Sequence, residues 1–208
     1  MSNKHEESLE ESQLPMKAIT VFCGSKGGND PHFIEMAQKT GKLLANQGIQ
    51  LIYGGGKVGM MGELANAALQ NEGQVTGIIP SFLCTKEIAH DQLTELIVVE
   101  TMHERKLKMQ ESCQGFISLP GGFGTMEEFF EVLTWGQLGL HQKPIGLLNP
   151  GGYFDPLVHF LDQMVDTAFL SQNDRDMVLV ADSPKDLIAK MNKYTPPPVP
   201  QWINRETT

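Results

Sequence analysis

The sequence predicts a single doubly wound, Rossmann-like α/β domain, a parallel sheet flanked by helices, and three observations carry that prediction. Short apolar runs rich in β-branched residues alternate with longer amphipathic stretches along the chain. The runs are apolar at nearly every position, the pattern of parallel strands buried on both faces. The 21 glycines cluster directly after several of these runs, where a strand would turn into a helix. At 208 residues, with 40% hydrophobic and 20% charged side chains, the chain suits one compact domain with a real core.

The elements follow in order. Residues 1–15, MSNKHEESLEESQLP, are polar and acidic, lack the apolar stretch of a signal peptide, and read as a solvated tail. The domain is expected over 16–194. MKAITVFCG (16–24) is a strand, and the helix of 31–48 has Asp30 as N-cap, Pro31 in its first turn and Gly48 past its end. IQLIY is a strand, MGELANAALQNEG a helix and VTGII a strand; SFLCTKEIAHDQL is irregular, and LIVVE resumes the sheet. MHERKLKMQESC is a helix, GFISL a strand, TMEEFFEVLTWGQLGL a helix and PIGLLN a strand. YFDPLVHFLDQMVDTAFL, MVLVA and PKDLIAKMNK complete the alternation as helix, strand and helix. Residues 195–208 form a proline-rich tail.

Composition excludes several function classes. A net charge of -9 repels polyanions, so no nucleic-acid partner is expected, while a small phosphorylated ligand needs only a local pocket. No apolar run reaches the ~18 residues of a membrane span, so no membrane partner is expected. Cys23, Cys84 and Cys113 lack paired spacing and read as free thiols of a reducing, cytoplasmic setting. His5, His32, His90, His141 and His159 show no ligand spacing, so neither a metal nor a cofactor is implied.

Three glycine loops stand at strand ends: Gly24-Ser25-Lys26-Gly27-Gly28, Gly54-Gly55-Gly56-Lys57-Val58-Gly59, and Gly121-Gly122-Phe123-Gly124-Thr125. In open α/β sheets this edge holds the ligand crevice, and a helix N-terminus there offers free N–H groups to a phosphate. The second loop formally matches a dinucleotide fingerprint, but the next strand ends in Pro80 without the acidic residue that grips a ribose. The P-loop spacing is also absent. Pyridoxal phosphate chemistry on Lys57 is not expected, since nothing in the sequence supplies a group for the cofactor's pyridinium nitrogen.

More specific is Pro120-Gly121-Gly122-Phe123-Gly124-Thr125-Met126-Glu127-Glu128, a PGGxGTxxE pattern, preceded by Met102-His103-Glu104-Arg105-Lys106, an MHxRK element. With Cys23-Gly24-Ser25 and the stretch Tyr53 to Gly62, the chain resembles the Lonely-Guy (LOG) family from about Lys17 to about Ala181. Those enzymes are cytokinin riboside 5′-monophosphate phosphoribohydrolases, many carrying a mistaken lysine-decarboxylase label. The resemblance implies catalytic roles for Arg105 and Glu128. It implies substrate contacts from Glu87, Arg105, Lys106, Gly121, Gly122, Phe123, Gly124, Thr125, Met126, Glu127 and Thr134. Gly24, Ser25, Gly54, Gly55 and Gly56 join these through the loop argument. Lys26 departs from the family's usual serine, and Ala89 to Glu100 follows no family pattern.

A bland role competes for Glu128: Thr125-x-x-Glu128 ahead of an apolar run spells a capping box. In either role, the start of a helix is expected to depress its pKa. His103, Trp135, Met109 and Met126 read as helix-lining or core side chains. The resemblance implies hydrolysis of the N-glycosidic bond of AMP or N6-modified AMP to free base and ribose 5-phosphate. The rival is a non-catalytic nucleotide or cofactor carrier on the same fold. The apolar helix around Phe129, Phe130, Val132, Leu133, Leu138 and Leu140, together with the family's habit, predicts a homodimer.

Overall fold

The computed structural model describes residues 16–85 and 88–198. Seven strands alternate with helices: β1 (Ala18–Phe22), α1 (Pro31–Asn46), β2 (Gln50–Tyr53), α2 (Gly59–Leu69), β3 (Val75–Pro80), β4 (Glu95–Val99) and α3 (Met102–Glu111). Then come β5 (Gly115–Ser118), α4 (Phe123–Gln137), β6 (Ile145–Leu148), α5 (Asp155–Asp166), α6 (Gln172–Arg175), β7 (Val178–Ala181) and α7 (Pro184–Met191). The tail expected over 1–15 lies outside the described residues, as does most of that expected over 195–208.

All strand pairs are parallel, in the order β4-β3-β2-β1-β5-β6-β7. The chain winds outward from β1 to β4, then returns to the centre and winds the other way from β5. The reversal falls between β1 and β5, where Phe22 pairs with Ser118. On one face, Val21, Leu51 and Ile117 pack with Leu44 of α1, Leu64 of α2 and Leu187 of α7. On the other, Phe22, Ile52 and Phe116 pack with Met109 of α3, Phe129 of α4 and Leu161 of α5. Continuously apolar strands are therefore satisfied on both sides, as their sequences predict.

Local signals set most boundaries. Asp30 accepts the His32 N–H at 2.9 Å, Pro31 opens α1, and Gly48 stands at φ 66 beyond its end. Helix α3 begins with a reciprocal capping box: Thr101 accepts the Glu104 N–H, and Glu104 reaches back to the Thr101 N–H. Several boundaries shift from expectation: α2 runs over Gly59–Leu69 rather than Met61–Gly73, the short α6 was not expected, and two further shifts have clear causes. Helix α5 stops at Asp166 rather than running to Leu170, because Ala168 takes a left-handed φ of 62 and the Phe169 and Leu170 N–H groups both fold back to the Met164 carbonyl. Helix α4 starts at Phe123, two residues earlier than the sequence indicates, with consequences for Glu128. The described residues of the segment after β3 are irregular as expected, apart from a short 3-10 turn at Ser81–Leu83 and the Gly56–Ala89 bridge. No helix among the described residues is long and apolar enough to cross a membrane.

Candidate active site

The crevice opens where β1 and β5 part. The loops leaving these strands are bonded together, the Gly24 N–H donating to the Pro120 carbonyl at 3.0 Å. The Gly24 carbonyl in turn accepts the Met61 N–H at 3.3 Å, so the first loop meets the start of α2. Gly59 sits there at φ 61, and a Cβ on it would lie 2.3 Å from the Ser25 carbonyl oxygen; any side chain would force these loops apart. A fourth glycine turn, Asn149-Pro150-Gly151-Gly152, follows β6 and presents Tyr153, whose hydroxyl donates to the Gly121 carbonyl at 2.6 Å. No family motif covers Tyr153, yet the glycines directly after a strand are the same signal that marks the other loops.

Helix α4 rises from this floor. Its N-cap is Gly122, in extended backbone and without a side-chain cap, while Gly122, Phe123 and Gly124 are exposed. The helix start therefore presents peptide N–H groups and the positive end of its dipole toward the crevice.

Beside it stands a buried ion pair. Arg105 Nη1 lies 3.6 Å from Glu128 Oε1, and each side chain is 11% exposed. Arg105 is held by main-chain oxygens of two strands, Nε donating to Ile78 at 3.0 Å and Nη2 to Gly54 at 3.2 Å. Burial pushes the Glu128 carboxyl up to about 7; the Arg105 charge opposes this without overcoming it, and Glu127 adds to the rise. Two expectations are corrected here. Thr125 lies inside α4 rather than at its N-cap, so Thr125 and Glu128 form no capping box. The dipole does not depress Glu128 either, because desolvation in this dry position is the larger effect.

The other site candidates separate into groups. Lys106 Nζ binds Glu127 Oε1 and, at 2.8 Å, Glu131 Oε1, tying α3 to α4. Burial works to lower its pKa, but these two partners outweigh it and the net shift is upward. Its charge is thus already matched by carboxylates. Gly54, Gly55 and Gly56 are buried, not presented to solvent. The segment after the 3-10 turn covers them: the His90 N–H donates to Gly55, the Lys57 N–H to Ile88, and Gly56 pairs with Ala89. Thr134 is exposed farther along α4 and spends its hydroxyl on the Phe130 carbonyl at 2.7 Å. Met126 is half-buried against the core, and His103 is exposed on α3. Glu87 lies outside the described residues. Cys23 and Cys113 are buried free thiols and Cys84 is half-buried. Burial first and the Glu128 charge second push the Cys23 thiol upward, which keeps it protonated.

Concave regions also occur away from this edge. One lies between Gly136, His141 and the Tyr194–Pro198 segment, another near Lys17, Gln50 and Gln74 at the opposite end of the sheet. Neither combines an open helix N-terminus with a buried charged pair, so chemistry locates the candidate site better than concavity does.

Comparisons with known proteins bear on the family and the fold. The family described as "Possible lysine decarboxylase" matches residues 61–191. Cytokinin riboside 5′-monophosphate phosphoribohydrolase LOG7 of Arabidopsis thaliana is 42% identical over 188 residues, covering 90% of this chain and 87% of its own. The enzyme of that activity named LOG in Oryza sativa subsp. japonica is 39% identical over 186 residues, covering 89% and 77%. Among solved structures, the molybdenum cofactor binding protein of Rippkaea orientalis superposes with a TM-score of 0.64 at 25% identity, covering 85% of this chain and 95% of that one. The molybdenum cofactor carrier protein of Chlamydomonas reinhardtii gives 0.66 at 23%, covering 85% and 96%, a likeness of fold.

Proposed function

This chain belongs to the LOG family of cytokinin riboside 5′-monophosphate phosphoribohydrolases, and from that premise we propose how its own residues carry out the hydrolysis. The enzyme cleaves the N-glycosidic bond of a nucleoside 5′-monophosphate, AMP or an N6-modified AMP, giving free base and ribose 5-phosphate. The observation that carries the mechanism is the buried Arg105–Glu128 pair beside the uncapped start of α4.

The 5′-phosphate docks on the Gly121–Thr125 loop, where the N–H groups and dipole of α4 favour a dianion. This anchors the ribose so that its anomeric carbon faces Glu128. As the bond from that carbon to the base lengthens, positive charge grows on the sugar, and the largely buried carboxylate stabilises it. The base departs with the electron pair of the broken bond and takes its proton from solvent, while water attacks the anomeric carbon. With its carboxyl pushed up to about 7, Glu128 can take the proton this water loses at neutral pH. Arg105 keeps a share of Glu128 ionised and aimed, and it is too weak an acid to protonate the departing base.

The carrier proteins among the structural neighbours keep a second reading in view, since a carrier shares the fold and the glycine loops. A carrier needs no buried carboxylate at an anomeric carbon. Incubation with AMP and isopentenyl-AMP, followed by chromatography, separates the two: free base supports the hydrolase, whereas tight binding of nucleotide without release of base supports the carrier. A homodimer in the cytoplasm completes the proposal. Leu138 and Leu140, 41% and 42% exposed, lie past the end of α4, and Phe123 at its start is 97% exposed. Three free cysteines fit a reducing compartment.

A further inference from the structure

We infer that Gly54 is a positioning residue for Arg105, its missing side chain being the space in which the guanidinium is held against Glu128. The inference rests on the hydrolase reading for its catalytic consequence, and on geometry alone for the docking itself.

The guanidinium uses its donors in three directions. Nε and Nη2 bind the carbonyl oxygens of Ile78 on β3 and Gly54 at the end of β2, and this leaves Nη1 toward Glu128 and the Met102 sulfur. Two fixed acceptors on neighbouring strands determine the plane of the fork, which an ammonium group could not read in the same way. A Cβ on Gly54 would fall 2.1 Å from Nη2, 3.3 Å from Cζ of the same arginine and 3.1 Å from the Met61 sulfur. The first separation is impossible, so the guanidinium would have to leave its seat. Gly54 does not have a left-handed φ, unlike neighbouring Gly55 at φ 75. Alanine therefore suits the backbone at position 54, and its effect passes through the side chains it displaces. From its place in a glycine loop, Gly54 is expected against substrate; its burial and this contact point instead to a role one step behind, through Arg105.

Moving Arg105 has an electrostatic consequence. Glu128 is faced by Arg105 and Lys106 from α3, by Glu127 and Glu131 on its own helix, and by the Cys23 thiol after β1. Arg105 is the strongest influence holding its pKa down against burial. A displaced guanidinium leaves the carboxyl protonated to higher pH.

The test is a double-mutant cycle of Gly54→Ala with Arg105→Ala, read by kcat for base release from AMP, by the Glu128 carboxyl titration in ¹³C NMR without substrate, and by thermal melting. Gly54→Ala is expected to lower kcat by about 10²-fold, the size typical for one lost electrostatic contact, and to move the Glu128 titration upward. Neither change should grow when Arg105 is already alanine. Should Gly54→Ala melt early or fail to fold, adding Arg105→Ala should restore the melt, since the clashing group is then gone. Independent, multiplying losses, or a destabilisation that Arg105→Ala leaves unrepaired, would overturn the inference. A parent protein that releases no base would overturn the hydrolase reading instead, and the titration and melting arms would still decide the docking.

Discussion

Glu128 shows how burial can reverse an expectation drawn from a motif. A glutamate three residues after a threonine, just ahead of an apolar run, spells a capping box; here it is buried, joined to an arginine and raised to about 7. The sign of its contribution to stability follows. A folded pKa above the unfolded value of ~4.3 means that the native state binds the extra proton, so the contribution is fully present below about pH 4 and lost as pH rises through 7. Glu128→Gln should therefore melt like the parent near pH 4 and more stably above pH 8, by roughly 3–4 kcal/mol. The same variant should lose about 10²–10³-fold in kcat while keeping its affinity for AMP, because the phosphate loop is untouched. A cap would give the opposite pair, near-full activity with a slightly lower melt. Tyr153 allows a subtler test at this scale. Tyr153→Phe removes one hydrogen bond to the Gly121 carbonyl, about 1 kcal/mol, and should raise KM for AMP several-fold while hardly changing that for adenosine, which lacks the phosphate.

At the scale of elements, the sequence carried its information unevenly. The signals of α1 were local and strong, an aspartate before a proline and a glycine beyond, and they placed it within two residues. The start of α4 was misplaced because its cap is a glycine, which leaves no side-chain signature, while Thr125 and Glu128 imitate one. The real capping box lay unread in Thr101 and Glu104, inside the motif singled out for its arginine and lysine. That box supplies the first turn of α3 with a carboxylate and offsets the unfavourable placement of two cations close behind it. Thr101→Ala should cost ~1 kcal/mol of stability by chemical denaturation and, since α3 carries Arg105, should also reduce kcat. Unchanged stability would mean that the box is not needed to hold α3. The burial of Gly54–Gly56 was invisible for another reason: the segment that covers them has no repeating pattern, and its pairing with the loop is a tertiary matter.

Across the whole molecule, fold class and strand count were legible because each strand is a mainly apolar run separated from the next by a helical stretch. The order of strands was not, since nothing in the β1 or β5 sequences says that they are neighbours. Assembly also belongs at this scale. Phe129 and Val132, read as interface candidates, are core residues, while Phe130 and Leu133 are only partly covered. The surviving apolar surface, Leu138 and Leu140 together with Phe123, is nonetheless sufficient reason to expect sedimentation as a dimer at micromolar concentration. A monomer under those conditions, or a dimer indifferent to charge at Leu138, would remove this face from the account.

The bond between Gly24 and Pro120 joins loops that lie far apart along the chain. Strands β1 to β4 can assemble through successive local crossovers, but the crevice has no second wall until β5 inserts beside β1 and carries α4 with it. Closing so long a loop is slow relative to forming the helices within it. During refolding from denaturant, ellipticity should return before turnover does, and a growing polypeptide should stay catalytically silent until its latter half has left the ribosome.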